Sequence, residues 1–186
     1  MCYNREVEKS IATRREDPMT LDELFRAFLK AYEAYYDLKE TPGKESPFDA
    51  EAIFSSCEEQ YFLLKGLTLS ETRIAEFVYF AKSERLTKDE LERLDALAWE
   101  RGITEAAPGP GHKCSDVTLI VLAETADDDA KAHVKDCRHA KNYRFGLHGF
   151  SHYRLALIER TTGMFFFNPQ GKRLKPLVQD IWKTAG

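Results

Sequence analysis

Ser115-Asp-Val-Thr-Leu-Ile-Val-Leu-Ala123 is the stretch on which the fold of this 186-residue chain turns. Its apolar side chains fill both alternating positions, as a strand covered on both faces requires. Downstream, Asp127-Asp-Asp129 sets three carboxylates at the start of a helix, where they complement its partial positive charge. That helix turns Ala130, Val134 and Cys137 inward and is expected to end near Ala140. Three strands are predicted after it, over 142–148, 152–159 and 164–168, with turns near Gly149 and at Thr161-Thr-Gly163. Asn168-Pro-Gln-Gly171 closes the sheet. Leu174, Leu177, Val178, Ile181 and Trp182 then mark a last amphipathic helix, with Pro176 tolerated in its first turn.

Upstream, Thr87 and Glu90 have capping-box spacing, and Leu86 with Leu91 can staple across the cap. Leu91, Leu94, Leu97 and Ala98 continue the helical stripe, and Gly102 stands where a left-handed cap would end it. Ala107–His112, with two prolines and two glycines, reads as a stiff exposed connection. Residues 60–82 are predicted as two strands with a turn at Ser70–Thr72. Tyr61, Leu63, Leu67 and Leu69 fall on one face of the first, Phe62 and Leu64 on the other. Arg73–Ala81 has strand composition, a helix over 70–82 being the alternative. A second capping box, Thr20 with Glu23, opens a helix whose stripe is Leu21, Leu24, Phe25, Phe28, Leu29, Tyr32, Tyr35 and Tyr36. Residues 41–47 break the chain, and residues 1–18 are charged and without period.

The element order, helix–ββ–helix–β–helix–βββ–helix, predicts an α+β fold. Its mainly antiparallel sheet of about five to six strands is covered by three to four helices. Residues 1–18 form a loose arm and 19–186 a single domain. Hydrophobic content of 43% with 12% aromatic residues excludes a disordered chain. No apolar run approaches the roughly 20 residues of a membrane span, and the N-terminus has no secretory h-region. A cytoplasmic location is therefore expected, with Cys2, Cys57, Cys114 and Cys137 as reduced thiols.

The net charge of −4 conceals a division. Residues 131–186 carry 11 Lys and Arg against 3 Asp and Glu, or +8, which leaves −12 for residues 1–130. Either the basic segment docks on the acidic one, or it presents an anion-attracting surface. The aromatic and basic residues between 138 and 154 suggest the second. If strands 142–148 and 152–159 pair across Gly149, Arg144, His148, His152 and Arg154 gather on one face. Lys135, Arg138 and Lys141 lie close by in sequence, and Tyr143, Phe145, Phe150 and Tyr153 supply surfaces for stacking. Arginine holds phosphate or carboxylate through paired hydrogen bonds, and histidine can exchange a proton near neutrality.

Two further groupings carry weaker chemistry. His112, Cys114, His133 and Cys137 offer two nitrogens and two thiolates, a tetrahedral zinc set if one strand–helix unit brings them together. Glu76, among apolar neighbours, is an acid–base group with a raised pKa, the mark of an edge strand, or the partner of a nearby Lys or Arg. No glycine-rich phosphate loop, GxSxG elbow, HExxH or CxxC is present, and no cofactor is expected. The leading expectation is a non-catalytic binding domain whose basic, aromatic C-terminal sheet engages an anionic ligand, single-stranded nucleic acid included. The alternative is a small enzyme acting on a phosphorylated or carboxylated metabolite through a His/Arg site. No membrane partner is expected.

Overall fold

The computed structural model describes residues 19–41, 46–61, 68–106, 108–109 and 112–186. The expected arm at 1–18, most of the expected strand over 61–69 and most of the 107–112 connection lie outside them. Helix α1 (Leu21–Glu33) starts as its sequence requires. The Thr20 hydroxyl accepts from the Glu23 amide, and the Glu23 carboxylate accepts from the Thr20 amide. Its stripe Leu24, Phe25, Phe28, Leu29 and Tyr32 is buried, but the helix ends before Tyr35, which is exposed.

Three strands follow: β1 (Asp37–Glu40), β2 (Ala50–Tyr61) and β3 (Thr68–Leu86). No turn interrupts Ser70–Thr72, since those residues pair with Glu58–Gln60 of β2 in one unbroken ladder. Helix α2 (Lys88–Glu105) keeps half of its predicted box: the Thr87 hydroxyl accepts from the Glu90 amide. The Glu90 carboxylate instead accepts from the Ser83 hydroxyl. Gly102 is not a terminal cap. It lies inside α2 and lets the helix press on Val117, whose methyls would stand 2.5 and 2.6 Å from a Cβ there.

Strand β4 (His112–Ala126) is the centre of the sheet, longer than predicted and buried on both faces. Helix α3 (Asp128–Asp136) leaves it and stops four residues short of Ala140. Next come a short β5 (Ala140–Asn142), a 3-10 turn at Arg144–Gly146, β6 (Phe150–Glu159), β7 (Met164–Phe167) and α4 (Lys175–Ala185). The strand predicted at 142–148 does not form. Arg144 and Phe145 both take left-handed backbone angles, φ 46° and 56°, which no strand contains.

The fold is α+β with four helices on one seven-stranded open sheet, ordered β1-β2-β3-β4-β6-β5, with β7 also on β6. Four of its pairings are antiparallel, but β3–β4 and β4–β6 are parallel. The sheet is therefore mixed and larger than expected. The cause is visible in the order strand–helix–strand, which occurs twice between 68 and 159. The α2 crossover returns the chain to the same end of the sheet and makes β4 parallel to β3, whereas after α3 the short β5 runs antiparallel and the turn back from it makes β6 parallel to β4.

Alternation divides the core in two. Phe77, Tyr79, Val117, Leu119, Val121, Tyr153, Leu155 and Leu157 pack beneath α2 and α3. Val78, Phe80, Ile120, Leu122, Ala156 and Ile158 pack beneath α1 and α4. No helix among the described residues is long and apolar enough to cross a membrane.

Candidate anion-binding site

The predicted site residues do not gather on one face. His152 and Arg154 share the α1/α4 face of β6, as alternation required. Arg144 and His148 sit in the turn between β5 and β6 instead, where Phe145 is fully exposed and Arg144 exposed. Gly149 makes that turn pass close to β4: at φ +77° a Cβ there would stand 2.5 Å from the Lys113 carbonyl. Tyr153 is fully buried and Tyr143 nearly so, its hydroxyl 2.9 Å from the Ser151 hydroxyl. Neither can stack on a ligand without unpacking. Phe150 stays partly exposed and leans on His152, and Lys141 on β5 lies over the Tyr143 ring.

Parallel register decides what His152 and Arg154 face. It sets Glu76 beside Asp116, Asp116 beside His152, and Thr118 beside Arg154. The Arg154 guanidinium bonds Glu76 at 2.8 Å and also bonds Asp116. The Tyr36 hydroxyl and Thr118 hydroxyl also donate to Glu76, and burial followed by the Glu76 charge pushes the Tyr36 phenol up. Arg154 is thus neutralised twice over, and Glu76 is the ion-pair partner that one reading of the sequence expected. Cys114, at the rim, is pushed up to about 11 by burial and then by Asp116, so it is a thiol at neutral pH.

The four residues considered as a zinc set are divided between two places. His112 donates from Nδ1 to the His148 carbonyl at 2.7 Å, which leaves Nε2 to accept from the Ser115 hydroxyl at 2.8 Å. Both ring nitrogens are occupied. Cys114 groups with Asp116 and His152, whereas His133 and Cys137 group with Asp95.

The cations left without carboxylates lie elsewhere. In the basic segment Lys131 pairs with Glu159 and Asp128, Arg154 with Glu76 and Asp116, and Arg160 with Glu124. These three show the basic segment docking on the acidic one, Glu159 alone coming from the basic side. Among the described residues, Lys135, Arg138, Lys141, Arg144, Lys172, Arg173, Lys175 and Lys183 have no ion-pair partner. Four of them line one open groove of about 700 Å³: Lys135 and Arg138 from the α3 side, Lys172 and Lys175 from the start of α4. Phe165, Phe166, Phe167, Pro169 and Gln179 complete it, and no carboxylate does. The groove follows β7, which among the described residues pairs only with β6. Phe166 packs toward α3, Phe165 and Phe167 toward α4. The ammonium groups of Lys131 and Lys135 each lie 5.8 Å from the Phe166 ring centre. Of the predicted anion-binding residues only Lys135 and Arg138 belong here. The sequence signal for the others was Phe165-Phe-Phe167 followed by Lys172-Arg-Leu-Lys175, a basic run directly after an aromatic one.

A larger cavity of about 820 Å³ opens at the C-terminal end of β3 and β4, where open α/β sheets commonly bind ligands. Its lining holds Asp22, Asp49, Glu84 and Glu124 against Lys82 and Arg85, and both cations are paired, with Asp22 and Asp127. It has no surplus positive charge for an anion.

Residues 21–180 match a family described as "Domain of unknown function (DUF8052)". The chain belongs to that family. No curated protein and no solved structure matches it.

Proposed function

We propose that this chain is a binding domain for an extended anionic partner, engaged along the β7 groove by Lys135, Arg138, Lys172 and Lys175. The carrying observation is that four cations converge on one groove while no carboxylate lines it. In water each exposed ammonium is well solvated, so grouping them unpaired costs self-repulsion that a polyanion relieves. Single-stranded nucleic acid fits through phosphates on the lysines and bases against the partly exposed Phe165–Phe167 rings. An acidic peptide is the second reading, favoured by the outer edge of β7, which no strand among the described residues covers. An added strand would hydrogen-bond that edge and direct alternate side chains to the cations on either side of it. The enzyme reading is less well supported, because its anion anchor Arg154 is already held by Glu76 and Asp116.

Fluorescence titration of a labelled single-stranded oligonucleotide and of an acidic peptide, at two salt concentrations, tests this. Binding should weaken steeply with salt, and Lys172→Gln with Lys175→Gln should flatten the slope by up to about 2. Phe166→Ala should cost roughly 1–3 kcal/mol toward the oligonucleotide if bases stack there, with little change in slope. Lys141→Gln with Arg144→Gln should leave both unchanged. No binding of either polymer at low salt refutes the proposal, and loss in the second double variant instead moves the site to the β5–β6 turn.

A further inference from the structure

We propose that Asp95, His133 and Cys137 form a transition-metal site, suited to zinc, between α2 and α3. Their donor atoms lie within 4.8 Å of one another. Each comes from a fixed element: Asp95 from the middle of α2, His133 and Cys137 one helical turn apart along α3 and its end. Spacing i, i+4 puts the last two on the same face. Zinc takes imidazole nitrogen and carboxylate oxygen at about 2.0–2.2 Å and thiolate sulfur at about 2.3 Å, with donors disposed tetrahedrally. A thiolate, an imidazole and a carboxylate are a set that also disfavours magnesium and calcium, which take oxygen.

Three observations beyond the grouping point to a ligand. The Nε2 atom of His133 is buried and has no hydrogen-bond partner, which is uncommon for a buried polar atom. Its Nδ1 lies 3.5 Å from the Glu92 carboxylate. A modest closing of that contact would give the outer carboxylate–histidine bond that fixes the tautomer and leaves Nε2 to the metal. The carboxylate of Asp95 is itself oriented: Cys137 Sγ donates to Oδ1 at 3.1 Å and His139 Nε2 lies 2.8 Å from Oδ2. His139 is stacked on Trp99, with ring centres 5.3 Å apart. It either steadies Asp95 from outside or swings in as the fourth ligand.

The other grouping, Cys114 with Asp116 and His152, lacks these features. Its carboxylate is bound by the Arg154 guanidinium, a fixed positive charge that opposes a divalent cation. On binding at the first site, Cys137 loses its thiol proton to solvent. Its thiolate and the Asp95 carboxylate then balance the two charges of the metal.

The test uses the full chain without an affinity tag, stripped by chelator and dialysed. Titration with cobalt(II) should give about one equivalent per chain with a thiolate-to-metal charge-transfer band in the near ultraviolet, and zinc should displace it. His133→Gln and Cys137→Ser should each abolish the band, while Cys114→Ser keeps it. Circular dichroism reports whether each variant is folded. Should Cys137→Ser fail to fold, His133→Gln, whose ring is partly exposed, decides alone. A protein that binds neither metal overturns the proposal. So does a band that survives His133→Gln, or one that only Cys114→Ser removes.

Discussion

Removing one amide, that of Asn168, should cost this protein more than most core substitutions. The outer edge of β6 pairs with β5 at residues 150–152 and with β7 at 156–159, which leaves the backbone between them without a neighbouring strand. Asn168 serves that gap. Its Nδ2 donates to the carbonyls of Tyr153 at 3.1 Å and Cys137 at 3.3 Å. Its Oδ1 accepts from the amides of Leu155 at 2.9 Å and Gly171 at 2.6 Å. The side chain is 1% exposed, so water does not replace these bonds freely. At about 0.5–1.5 kcal/mol for each hydrogen bond, with some cost recovered by a water entering the vacated space, Asn168→Ala should destabilise the fold by about 3–4 kcal/mol.

Urea denaturation followed by far-ultraviolet circular dichroism would measure it, as a shift of midpoint at constant slope. Because Asn168 anchors β7 to α4, the variant should also weaken polyanion binding in the groove. It removes no charge, so the salt slope should not change. Asn168→Asp gives a second reading. It keeps the acceptor for Leu155 and Gly171 but turns a carboxylate toward two carbonyls, with its folded pKa raised by burial. Relative to the parent, its stability should be best below the unfolded carboxylate value of about 3.9 and be lost as pH rises through the folded one. A loss under about 1 kcal/mol for Asn168→Ala would falsify the bridging role.

Two other substitutions test the packing and the charge. Gly102→Ala gains about 1 kcal/mol of helix propensity but drives a Cβ against both Val117 methyls, an overpacking of about 1–3 kcal/mol. We expect a net loss of about 1 kcal/mol that reverses in a Val117→Ala background, and persistence of the loss there would place the clash elsewhere. Glu159 concerns pH: burial alone would raise its pKa, but the Thr162 hydroxyl, the Lys131 ammonium and the Ala126 amide together hold it below 4.5. Its contribution is therefore complete above the unfolded value and lost as pH falls through the folded one. In acid titrations of stability, Glu159→Gln should lie below the parent at neutral pH and converge on it in acid. A constant difference across that range would mean the carboxylate charge contributes nothing.

Much of the fold was legible because it rests on local rules. The box at Thr20, the cap at Thr87, the alternation 152–159, the turn at Thr161–Gly163 and the stripe of α4 each need only neighbours in sequence. What failed needed contacts distant in sequence. Gly102 looks like a cap until Val117 is placed beneath it. The strand expected at 142–148 has strand composition, but the Gly149 backbone must pass against His112 and Lys113, and the chain reaches it through two left-handed residues. Asn168 looks like one more turn residue because the gap it fills is made by two other strands.

The candidate site was misplaced for a related reason, and one error explains most of it. The +8 of residues 131–186 is real, but a charge total does not say which cations are already spent. Read as an antiparallel sheet, β6 meets the turn and β5 before it, and Arg154 joins Arg144 and His148. In the parallel sheet β6 lies beside β4, and through it near β3, so Arg154 meets Asp116 and Glu76 from the acidic half. The pairing that corrects the topology thus also removes Arg154 from the anion site. Among the described residues, four of the cations left unpaired line the groove along β7, where no carboxylate does. Sheet polarity, rather than composition, decides which part of a bipolar sequence remains charged on the surface.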